Sequence, residues 1–161
     1  MPNDAQKIAV PPAARALTTL PQVDYADAFL VDAGPAGDQL PEQWARAVLE
    51  GSPLTLRHRL RAGWTAIGLK LRRDRAGGAI LGWEIRRSTR DFVLLGADSR
   101  IGMPAELLFK REGDALVFAT FVQHGNPAAR AVWAGIEPIH GPTVRRLLAD
   151  AARRWRERPA A

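Results

Sequence analysis

MPAELLFKREGDALVFATFVQH, residues Met103–His124, decides the fold. Two runs of strand-forming residues, Met103–Arg111 and Ala115–His124, flank Glu112-Gly113-Asp114, a turn-forming link. A link that short permits only antiparallel pairing. A two-residue loop around Gly113 sets odd-numbered residues of the first run beside even-numbered residues of the second. One face then carries Met103, Ala105, Leu107 and Phe109 with Leu116, Phe118, Thr120 and Val122. The other carries Glu106, Leu108 and Lys110 with Val117, Ala119, Phe121 and Gln123. Charge falls only on the second set, so the first set is expected to face the core and the second to face water.

Working backwards, Phe92–Asp98 and Ile80–Arg87 read as two more strands with equally short links, which makes a four-stranded antiparallel meander. Leu81, Trp83 and Ile85 alternate with Glu84 and Arg86 and are expected on the core side. Gly77-Gly78 marks the break before the meander. Two helices precede it. The first is expected over about residues 41–50, with Trp44 and Val48 four apart. The second opens at Ser52-Pro53, read as a serine cap with proline at the first helical position. Its stripe is Leu56, Leu60, Trp64, Ile67 and Leu71, and Arg57, Arg59 and Arg61 fall mostly off it. Before these helices stand a first strand, Tyr25–Asp32, and the turn-rich Gly34–Asp38. Residues 1–22, polar and interrupted by Pro11, Pro12 and Pro21, read as a loosely ordered leader.

Working forwards, Asn126-Pro127 starts a long helical segment with a capping side chain and a proline at the first helical position. Val132, Ile136, Ile139, Thr143 and Leu147 keep helical spacing. Pro138 and Gly141-Pro142 are expected to bend or split the helix, because proline has no N–H and clashes one turn back. Arginines crowd its C-terminal part, where they complement the helix dipole.

The 161 residues suit a single α+β domain, expected over 23–158, and a 47% hydrophobic content supplies a core. There is no cysteine, which removes disulfides, thiolate metal sites and cysteine nucleophiles, and fits a reducing compartment. No basic-then-apolar leader and no apolar run of spanning length occur, so a cytoplasmic location is the expectation. The net charge of +6 comes almost wholly from arginine. Arg57–Arg61, Arg72–Arg75 and Arg86-Arg87 carry no recognition-helix or RNA-binding signature, so no specific nucleic-acid partner is expected. Trp155 among the terminal arginines allows at most a transient membrane contact. Oligomeric state has no sequence signal.

The order strand, two helices, four-stranded meander and long helix resembles the START-like, or SRPBCC, superfamily with its helix-grip fold. Asp24-Tyr25-Ala26-Asp27-Ala28-Phe29, then Asn126-Pro127-Ala128-Ala129-Arg130 with Trp133, Pro138 and His140, resemble a bacterial domain-of-unknown-function branch of it. The likeness spans roughly Val23 to Arg154. It implies a sheet wrapped around the long helix with a cavity between them. Members with known roles carry lipids, hormones or polyketides, or catalyse cyclisation or hydrolysis there. That branch has no agreed activity, so the resemblance brings no catalytic residue with it.

On this reading the chain binds a small apolar or amphipathic molecule. Trp64, Trp83, Leu107, Phe109, Phe118, Thr120, Trp133, Ile136 and His140 are the expected lining, with Thr120 and His140 orienting the ligand. Aromatics so placed are mostly plain core, and they also line apolar ligand cavities. A cyclase- or hydrolase-type enzyme in the same cavity, with His124, His140 or Asp27 as acid or base, is one alternative. A packed interaction domain without a pocket is another. The readings favoured over those roles are His124 as the end of a strand, His140 as the partner of a carbonyl freed by proline, and Asp27 as a solvent carboxylate at an edge or end. Glu137-x-x-His140 has the spacing of half a di-iron site, but the second half is missing. No phosphate loop and no nucleophile elbow occur, and neither metal nor cofactor is expected.

Overall fold

A computed structural model describes residues 5–73 and 77–157. In chain order it contains β1 (Gln6–Ile8), the one-turn helix α1 (Pro12–Arg15), β2 (Tyr25–Asp32), a 3₁₀ turn (Gly34–Ala36) and α2 (Pro41–Leu49). Then come α3 (Leu54–Ala66), β3 (Leu69–Lys70), β4 (Ala79–Ile80), β5 (Trp83–Ser88), β6 (Phe92–Ser99), β7 (Ala105–Glu112), β8 (Ala115–Val122) and α4 (Pro127–Glu157). The strands form a curved sheet in the order β1-β2-β8-β7-β6-β5-β4, every pairing antiparallel. β3 joins β6 at Asp98 and Ser99.

The central hairpin has the expected register. Leu107 stands opposite Thr120 and Phe109 opposite Phe118. Gly113 holds φ +61° at the turn, a value that costs a side chain strain and glycine nothing. β8 then pairs along its whole length with β2, which places Asp27 opposite Thr120 and Phe29 opposite Phe118. The chain's first long strand thus closes against its last.

The inner face of the sheet carries Phe29, Val31, Val93, Leu95, Leu107, Phe109, Leu116 and Phe118, and packs against Trp44 and Val48 of α2 and Leu147, Leu148 and Trp155 of α4. The outer face is also apolar. Ala28, Leu94, Leu108, Val117, Ala119 and Phe121 are buried there beneath Ile8, Val10, Leu17, Leu20 and Val23. Residues 5–22, read from sequence as a loosely ordered leader, instead pair β1 with β2 and lie across this face. Glu106 is therefore not the solvent-facing charge its position suggested. It is fully buried, accepts from the Thr18 and Thr19 hydroxyls and the Thr19 N–H, and pairs with Arg86 at 2.9 Å.

Three local expectations shift. The run from Ile80 divides into β4 and β5, because Leu81 (φ +49°) and Gly82 (φ +95°) form a turn. Ser52 does not cap α3; its hydroxyl donates to the Leu49 carbonyl, and Leu71 lies beyond the end of that helix. α4 bears Pro138 and Pro142 yet is one unbroken helix of 31 residues, so the split does not occur. Asn126 caps it as read, its side-chain oxygen taking the Ala129 N–H at 2.8 Å.

A cavity between sheet and C-terminal helix

α2 covers one half of the inner face, where Trp44 is held by a bond from its indole N–H to the Ala36 carbonyl and lies under the Arg111 guanidinium. α4 covers the rest at a distance that leaves a cavity of about 280 Å³. The sheet floor supplies Trp83, Ala105, Leu107, Phe118, Thr120 and Val122. α4 supplies Trp133, Ile136, Ile139, His140, Thr143, Val144 and Leu147, and α3 supplies Leu60 and Trp64. The wall is overwhelmingly apolar. Exposed Arg59, Gly63 and Ile139 set the mouth between α3 and the middle of α4. The interior is thus not filled solid, as a packed domain without a pocket would require.

One end of this cavity is polar. His140 and Thr120 meet there in front of Asp27, a carboxylate only 3% exposed. Asp27 Oδ2 accepts from the Tyr25 hydroxyl at 2.7 Å and lies 3.2 Å from His140 Nε2. Thr120 stands opposite Asp27 on the neighbouring strand, its hydroxyl buried without a hydrogen-bond partner. Tyr25 meets His140 edge-on at 5.9 Å between centroids, and the Trp133 ring packs on both. Burial works to raise the Asp27 pKa. The proximity and charge of His140, with the Tyr25 bond and the neighbouring Thr120, outweigh it and hold the carboxyl below its ordinary value. Tyr25 shifts the other way: burial and then the adjacent carboxylate raise its pKa well above the usual phenol value.

The cavity collects Trp64, Trp83, Leu107, Phe118, Thr120, Trp133, Ile136 and His140 from five separate elements. Phe109 is on the expected face but outside the cavity, because α2 packs on that end of β7 and Phe109 is spent against Phe118. Asp27 and Tyr25 are the residues that sequence reasoning undervalued. Asp27 is not a solvent carboxylate, and the available signal was its place among Tyr25, Phe29 and Val31 on one face of β2. His140 pairs with that carboxylate rather than with a freed carbonyl. His124 sits at the end of β8, its N–H on Asp24 and its ring 6.3 Å from Trp133. Trp155 is buried, so it offers nothing to a membrane.

Two arginines of the basic runs, Arg72 and Arg86, are ion-paired. Arg86 lies among Glu84, Asp98 and Glu106, and Arg72 pairs with Glu84 at 2.6 Å; Asp74 and Arg75 fall outside the described residues. Among the described residues no three or more His, Asp or Glu side chains gather as a metal site, and no helix is long and apolar enough to cross a membrane.

These features define a class: an α+β protein whose curved antiparallel sheet grips a long C-terminal helix above a largely apolar cavity. No family model matches the chain, and no curated protein matches it. Among solved structures it is similar to CalU16 from Micromonospora echinospora, at 14% identity over 96% of this chain and 94% of that one, with a TM-score of 0.32.

Proposed function

We propose that the protein binds a small apolar or amphipathic molecule in the cavity between sheet and α4, as a START-like protein would. One observation carries the reading: an apolar hollow of about 280 Å³ with Thr120 and His140 in its wall beside the buried Asp27 carboxylate. A well-packed core holds few voids larger than a water molecule, and an empty one of this size forfeits dispersion contacts along its whole wall. Ligand sites have this makeup, with apolar walls for affinity and a few polar groups for orientation. Trp64, Trp83, Leu107, Phe118, Trp133 and Ile136 would shield the ligand, and Thr120 and His140 would orient its polar end.

An environment-sensitive fluorescent dye should bind with roughly micromolar affinity, about −8 kcal/mol. Ala105 lies on the cavity floor, and Ala105→Leu would put three further carbons into the hollow. The variant should keep or raise its melting temperature and bind the dye at least about tenfold more weakly, a loss of about 1.4 kcal/mol. Unchanged dye affinity in a folded Ala105→Leu protein would place the binding site elsewhere and sink the reading.

A further inference from the structure

We propose that His140 is a general base, with Nδ1 free to take a proton from an apolar molecule in the cavity and Asp27 as its positioning residue. The inference rests on the cavity being the binding site and adds a chemistry to it. Nε2 of His140 is buried 3.2 Å from Asp27 Oδ2 and makes no hydrogen bond in this structure. Nδ1 is therefore the one ring nitrogen that can serve a ligand. A small turn of the ring would set a proton on Nε2 against that carboxylate and leave the lone pair on Nδ1, since catalytic hydrogen bonds are often loose without substrate. When Nδ1 takes a proton, the same carboxylate stabilises the imidazolium that forms. This is the division of labour in carboxylate–histidine pairs that activate nucleophiles.

The surroundings suit that role. Asp27 Oδ2 is held by the Tyr25 hydroxyl, while Thr120 stands opposite across the ladder; Asp27 Oδ1 and Thr120 Oγ1 are both buried without a hydrogen-bond partner. Folding gives no reason for the pair to exist. Asp27 sits on a sheet face whose neighbours are Phe29, Phe118 and Leu107, and an apolar residue there would avoid the desolvation cost of a buried charge. The other titratable or charged groups nearby are His124 at the end of β8, Glu137 on the preceding turn of α4 and Arg59 at the mouth. Among these, His140 alone lines the cavity with a nitrogen backed by a carboxylate. The substrate class is then an apolar molecule with an acidic C–H or O–H.

The test uses 5-nitrobenzisoxazole, a flat apolar probe that a base opens in one step. The base takes the ring C–H proton, the C–H electron pair completes a nitrile, and the N–O bond breaks to leave its pair on a coloured phenolate. The full-length protein should open the probe at least about a hundredfold faster than His140→Gln, with Asp27→Asn also slowed. The wild-type rate should rise with pH along a single ionisation. Equal rates in wild type and His140→Gln overturn the assignment. Displacement of the fluorescent dye by the probe is read on the same sample. Displacement without ring opening removes the base and leaves the binding site standing; no displacement of the bound dye overturns the substrate class, and a dye that does not bind removes both. A second measurement needs no variant: nitrogen-15 NMR of neutral His140 should show the proton on Nε2, and a proton on Nδ1 overturns the assignment.

Discussion

Asp27 carries the sharpest consequence of burial in this protein. Its partners prefer the ionised carboxylate, so its pKa is lower in the folded state than in the unfolded chain. A depressed carboxyl pKa contributes stability that is fully present above the unfolded value of about 3.9 and is lost as pH falls through the folded value. Asp27→Asn should therefore flatten the acid limb of stability below about pH 4, as read from urea midpoints across pH; an unchanged acid limb would contradict the pairing with Tyr25 and His140. The pair was only half legible in the sequence. Alternation along β2 places Asp27 on the face of Tyr25, Phe29 and Val31, which does mark it as inward. Its partner, however, comes from more than a hundred residues later. No local pattern says that the fourth turn of α4 arrives over the second residue pair of β2.

At the scale of elements, α4 bears the cost of the design. Prolines at 138 and 142 supply no N–H, so the carbonyls of Ala134 and Pro138 lose their helical donors. The helix persists because Trp133, Val144, Leu147, Leu148, Ala151 and Trp155 are buried on both sides of the interruption. Tertiary packing overrides local preference, and that is why the expected split does not appear. Pro138→Ala should restore one bond and remove one clash, raising stability by about 1–3 kcal/mol in denaturant unfolding. A loss of stability would mean that the proline geometry is itself required by the packing. The meander was legible for the opposite reason. Its links are so short that the turn at Gly113 alone determines which side chains share a face. The covering of those faces was not legible, because α2 over Phe109 is a long-range arrangement that periodicity does not encode.

For the molecule as a whole, the sheet is a middle layer, with helices on one side and the N-terminal segment on the other. The inner helices shape the cavity; the segment seals the back of its floor. Glu106 joins that segment to the sheet, linking Thr18 and Thr19 to Arg86 through a buried carboxylate. Glu106→Ala removes the acceptor of Thr18 and Thr19 and the buried partner of Arg86, which keeps Asp98 and Glu84, and should cost about 1–3 kcal/mol in urea unfolding. It should also hasten limited proteolysis within the first twenty residues; a cost under about 1 kcal/mol would show that the segment is held by its apolar contacts alone. Gly96 belongs to the same arrangement, since a Cβ there would fall 2.2 Å from the Arg86 guanidinium carbon. The brevity of the outermost strands has a further effect. The sheet ends in β1 with three residues and in β4 with two. Sheets recruit neighbours through long rows of unsatisfied amides and carbonyls at their margins. Here each margin is so brief that a passing strand finds almost no template for growth into a fibre, even though the interior strands are among the most apolar segments of the chain.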